Sequence, residues 1–96
     1  MTGLFELPEA VSFDSLAELR ARGEAFVDAS SGTAQFDLGG LQECNSAAVA
    51  LLMSWFRYAN AHGKTIVYTR PAEDLVNLVG VAGLDEILPF RSDGAE

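Results

Sequence analysis

The sequence predicts an α/β domain: a small, mostly parallel sheet flanked by helices. Three observations point there. Strand-like and helical runs alternate along the chain, each helical run carries one apolar stripe, and 96 residues leave room for a single core.

The first strand candidate is Leu4-Phe5-Glu6-Leu7, closed by Pro8, with Val11-Ser12-Phe13 extending it or following irregularly. Asp14 and Ser15 then open a helix. Ser15-Leu16-Ala17-Glu18 has capping-box spacing, and Leu16, Leu19, Gly23, Phe26 and Val27 recur on one face as far as about Asp28. Ser30 to Thr33 is turn chemistry, and Ala34-Gln35-Phe36-Asp37-Leu38 is the next strand, broken by Gly39-Gly40.

A loop through Cys44-Asn45-Ser46 leads into an apolar helix from about Ala47 to His62, with Gly63 suited to the position just past its end. Thr65-Ile66-Val67-Tyr68-Thr69 is β-branched and aromatic, hence a buried strand. Pro71 suits a helix start, Glu73 and Asp74 occupy its first turn, and Leu75, Leu78, Val79 and Ala82 share a face that ends at Gly83. Leu84 to Leu88 is either a strand or a helical turn. One domain is expected over residues 4–90, with a frayed tail from Arg91 to Glu96.

Composition narrows the function. Hydrophobic residues make up 49% and charged residues 21%, which is a globular balance. Fourteen acids against six bases give a net charge of −8, which argues against nucleic acid or an anionic bilayer as the main partner. Cys44 is the only cysteine, so neither an internal disulfide nor a Cys-based metal scaffold can form, and a reducing cytoplasm is expected. No run approaches the ~18 apolar residues of a membrane span, and no export signal opens the chain. Any membrane connection is expected to come through a partner.

The charges are also unevenly placed. Residues 1–45 hold eight acids and two bases, whereas no acid occurs between Glu43 and Glu73. That window holds the apolar helix. On a helical wheel Ala48, Val49, Leu52, Met53, Phe56 and Ala59 form the core arc. The opposite arc carries Ala47, Ala50, Leu51, Ser54, Tyr58 and Ala61, with Arg57 its only charge and Trp55 at the boundary. Either other elements cover this second arc, or it is a partner-binding face of small residues with Leu51, Trp55 and Tyr58 as anchors.

Ser46 stands where the chain enters this helix. It is most simply an N-cap, although the same position suits a phosphate, because helix N-terminal amides favour negative charge. Asn45 could cap instead, leaving the Ser46 hydroxyl to a partner. Catalytic chemistry finds little support. His62, the only histidine, lies roughly 24 Å along the helix from Ser46 at 1.5 Å per residue, too far to act as its base. Gly39-Gly40 lacks the following lysine of a phosphate loop, and neither Glu73-Asp74 nor Asp85-Glu86 has metal-site companions. Cys44 lies near a helix start that could lower its pKa, but a small buried residue is the simpler reading. No cofactor is expected.

Phe36-Asp37-Leu38, Asn45-Ser46-Ala47-Ala48 and Val49-Ala50-Leu51-Leu52 resemble the STAS domain, the fold of anti-sigma-factor antagonists. There a strand is followed by an Asp-Ser/Thr-Ser/Ala/Gly-Gly signature that opens a helix. Within that family the sequence is most similar to the MlaB branch, the small subunits of bacterial phospholipid-transporting ABC complexes. The run Ser46 to Trp55, Ala61-His62-Gly63-Lys64-Thr65, and Leu78, Gly80, Val81 and Leu84 to Pro89 carry that likeness, which spans about residues 4–89. The resemblance implies a non-enzymatic protein that binds the cytoplasmic ABC ATPase and supports its assembly and activity. The alternative it implies is an anti-sigma-factor antagonist that Ser46 phosphorylation switches between partners, one of them a kinase. Ser46 matches the signature Ser/Thr. Asn45 replaces the usual acid and Ala48 a common glycine, which weakens the phosphoswitch and favours the transporter branch. Most STAS domains begin with one more strand, for which the four residues before Phe5 leave little room.

Overall fold

Four parallel strands form the sheet in a computed structural model that describes residues 4–91. They are β1 (Phe5–Glu6), β2 (Thr33–Asp37), β3 (Thr65–Thr69) and β4 (Phe90–Arg91), in spatial order β1-β2-β3-β4. The helices α1 (Leu16–Ala29), α2 (Ser46–Ala61) and α3 (Glu73–Val81) make the crossovers between successive strands. Right-handed crossovers that all advance in one direction place all three helices on the same face of the sheet.

Register explains which residues meet that helical layer. Phe5, Phe36, Tyr68 and Phe90 lie side by side across the four strands. Because strand residues alternate between faces, this row points one way and Glu6, Asp37, Thr69 and Arg91 the other. The first row belongs to the core. Phe36 stacks on Trp55 of α2 with centroids 4.5 Å apart and meets Phe26 of α1 edge-on at 5.3 Å. Tyr68 is fully buried, and its hydroxyl donates to the Leu52 carbonyl at 2.6 Å. Burial drives the Tyr68 pKa well above the usual phenol value, so this donor keeps its proton.

Two local expectations are corrected. Ser15 precedes α1, but its backbone is already helical at φ −94° and ψ −4°, so its side chain makes no cap bond. Its hydroxyl instead donates to the Ser12 carbonyl and accepts from the Ser12 N–H, closing a serine turn rather than a capping box. At the other end Leu84 to Leu88 is a helical turn, with the Ile87 and Leu88 N–H groups donating to the Leu84 carbonyl. The last strand begins only after Pro89. Arg91 is therefore paired into the sheet beside Thr69 rather than frayed, and residues 92–96 lie outside those described. No strand precedes β1 among the described residues.

Candidate protein-docking face

The chain enters α2 through Asn45, whose extended backbone lets its Oδ1 accept the Ala48 N–H at 2.9 Å. The Asn45 amide also donates to the Val11 carbonyl at 3.0 Å, tying the signature loop to the segment after β1. The cap is thus Asn45, not Ser46. Ser46 is the first residue of α2; it is exposed, and its hydroxyl has no partner among the described residues. At the far end Gly63, at φ +69°, closes the helix in the left-handed conformation that favours glycine.

Burial redraws the faces of α2. Leu51 and Trp55, read from the sequence as candidate docking anchors, are completely buried, and Ala47 is also in the core. The reason is α1. Trp55 lies under that helix, with its indole N–H donating to the Arg20 carbonyl at 3.1 Å. Gly23 makes this approach possible, since a Cβ there would come within 2.2 Å of the Trp55 ring. Met53 and Phe56, expected within the core arc, are half-buried and pack on its margin. Tyr58 is half-buried too, and its hydroxyl donates to the Asp28 carboxylate at 2.8 Å. That bond raises the Tyr58 pKa above the usual phenol value, because a phenolate would face a carboxylate.

What α2 leaves in reach of a partner is a narrow ridge between α1 and α3. Ser46, Ala50 and Arg57 are exposed along it and Ser54 is half-exposed. A groove runs down each side. On the α3 side Val49, Ala50 and Met53 face Leu78, Ala82 and Leu84 across a cavity of about 370 Å³, with Ser46 and Arg57 also lining it. On the α1 side Phe13, Leu16, Ala17 and Arg20 face Ala50, Leu51 and Ser54 across about 340 Å³. Among the described residues neither groove is lined by an acid. Phe13, read from the sequence only as part of an extension after the first strand, is 70% exposed and lines the α1-side groove.

The loops behind the ridge are pinned together. Arg70, at φ +57°, places its guanidinium on Asp37 through two bonds of 2.9 and 2.8 Å, and the Gly39 N–H adds a third to that carboxylate at 2.9 Å. The Arg70 hydrogen bond holds the Asp37 carboxyl below the usual carboxylate range, outweighing the opposing effect of burial. Cys44 moves the other way. Partial burial, with Asp74 nearby, pushes its thiol up, so it is not an activated nucleophile. Among the described residues no three His, Cys, Asp or Glu side chains are placed to hold a metal, and no helix is long and apolar enough to cross a membrane.

A two-layer α/β domain with small residues exposed along its central helix, and two apolar grooves beside them, has the surface of a protein-interaction module. Comparison with known proteins gives that class its family. The family model described as "Mlab, STAS domain" matches residues 2–89, and the chain belongs to the STAS domain family. Among solved structures it is similar to an anti-sigma-factor antagonist (STAS) domain protein from Planctomyces limnophilus, with a TM-score of 0.73 and 17% identity over 93% of this chain and 80% of that one. At that identity the likeness concerns the fold. No curated protein matches the chain.

Proposed function

We propose that this chain is an accessory subunit that binds the cytoplasmic ATPase of a phospholipid-transporting, Mla-type ABC complex and supports its assembly and activity, without catalysis of its own. The observation that carries this reading is the α2 ridge, found in a domain whose family model is of the Mlab type. Small side chains at Ser46, Ala50 and Ser54 let a partner backbone come close, and the two grooves beside them accept its larger side chains. A subunit that binds only the folded ATPase stabilises it by mass action, which is how a non-catalytic protein supports the activity of another. The chain would then lie in the cytoplasm, reaching the inner membrane through its partner.

The test is co-expression with the ATPase subunit of an Mla-type ABC complex from the same organism. Wild-type protein should co-elute with it on size exclusion, and Ala50→Glu, which sets a charge on the ridge, should remove co-elution while leaving the thermal melt in place. A complex that tolerates Ala50→Glu would take the ridge out of the interface.

One observation favours a second reading, the serine phosphoswitch of an anti-sigma-factor antagonist. Asn45 caps α2 and leaves the Ser46 hydroxyl exposed and without a partner among the described residues. A phosphate there would add about −1.5 to −2 charges to a helix that has no acid. Mass spectrometry after incubation with a cognate serine kinase should then place phosphate on Ser46, and Ser46→Asp should change partner choice. An unmodified Ser46 would count against this reading and leave the accessory subunit in place.

A further inference from the structure

The two grooves beside the α2 ridge differ in what ends them. On the α1 side the cation is Arg20, already facing Glu24 of its own helix at 3.9 Å. On the α3 side it is Arg57, the only charge in the sixteen residues of α2, exposed and with no partner among the described residues. Lys64 donates to the Asp28 and Ser30 carbonyls and Arg70 is bound to Asp37, so neither is available in the way Arg57 is.

The floor between Ser46 and Arg57 is apolar. Val49 and Met53, one turn apart, face Leu78 and Leu84. Ser46 to Arg57 is eleven residues, about 16 Å of helix, which matches three turns of a docked helix. A partner that covers this floor takes water from one side of Arg57. A guanidinium losing water without a counter-charge is costly, a lysine or arginine opposite it would be repelled, and a carboxylate matches its paired N–H donors.

We propose that the α2–α3 groove receives a helix of the ATPase subunit that lays apolar side chains over Val49 and Met53 and, one turn away, sets an Asp or Glu carboxylate on Arg57. This rests on the accessory-subunit reading above. The contact is local. The chain as a whole is acidic at −8, but at physiological ionic strength charges more than about 8 Å apart are largely screened, so one carboxylate at Arg57 is favoured where a broadly acidic surface is not.

The experiment measures affinity by calorimetry between this chain and the purified ATPase subunit of the Mla-type complex from the same organism. Arg57→Glu should weaken binding about tenfold or more, with an unchanged melting curve, and replacing one Asp or Glu of the ATPase by Lys should restore it. Arg22→Glu, exposed on α1 and lining neither groove, should bind like wild type. Wild-type affinity in Arg57→Glu, an equal loss in Arg22→Glu, or no restoring position among the acids of the ATPase would each overturn the proposal while the complex itself stands. If the wild-type chain binds no ATPase, the accessory-subunit reading fails and this contact falls with it, a result distinct from the other three.

Discussion

The two long sides of α2 are built from similar residues and meet opposite environments. Ala47, Leu51 and Trp55 repeat at four-residue spacing on one side, while Ser46, Ala50, Ser54 and Arg57 run along the next. The first row is buried, Leu51 and Trp55 against α1; the second is the ridge between α1 and α3. A step of one residue along the helix, about 100° around it, separates core from surface. Hydrophobicity alone places that boundary poorly in a helix with so few charges. The neighbour decides it, here through Gly23, which lets α1 come down on Trp55.

The sharpest way to break this comparison is to remove the buried row. Trp55→Ala should lower stability by about 3–5 kcal/mol, as expected for emptying a fully buried aromatic site. Urea denaturation gives the value, and a loss under 1 kcal/mol would return Trp55 to the surface. Gly23→Ala in the wild-type background should also destabilise, by about 1–3 kcal/mol through overpacking, although alanine is the better helix former. In the Trp55→Ala background the same change should be neutral or stabilising. That reversal of sign would be the signature of the close crossing.

Most of the fold was legible in advance because its signals are local. Thr65 to Thr69 announces β3 by its β-branched run, and Gly63 announces the end of α2 by its conformation. The alternation of strand and helix carries the parallel sheet. The illegible parts depend on partners distant in sequence. Arg91 becomes a strand residue only because Thr69 lies beside it, and Ser15 loses its cap role to Ser12. In the candidate site the sequence places Asn45 and Ser46 at the entry of α2, where the structure also has them. It could not choose between the rows, because Leu51 and Trp55 are covered by α1, a helix whose apolar stripe is visible in the sequence but whose crossing is not.

A second contrast lies in the loops that hold the ridge, where one carboxylate is charged in the fold and pinned. Asp37→Asn keeps an acceptor for the Gly39 N–H but loses the charge facing Arg70, and it should cost about 1–2 kcal/mol at neutral pH, a modest figure because the Arg70 side chain is 57% exposed. The folded-state pKa of Asp37 is lowered, so its contribution is complete above the unfolded value near 4 and is lost as pH falls through the lower folded value. Wild type and Asp37→Asn should therefore differ at pH 7 and draw together as pH falls below about 4 toward the folded value. A gap that does not narrow below about pH 4 would mean that Asp37 acts through packing rather than charge.

The smallest expected effect separates two adjacent residues at the mouth of the ridge. Asn45→Ala removes the bond to the Ala48 N–H and the tie to Val11, and should cost about 1 kcal/mol, near the middle of the range for N-caps. Ser46→Ala breaks no bond within the described residues and should change stability by less than about 0.5 kcal/mol. Paired denaturation curves decide it. If Ser46→Ala proves the costlier change, its hydroxyl serves the fold and is unavailable to a partner or a kinase. If Asn45→Ala does, a neighbour carries the structural duty of the helix start, and Ser46 is left available for regulation or contact.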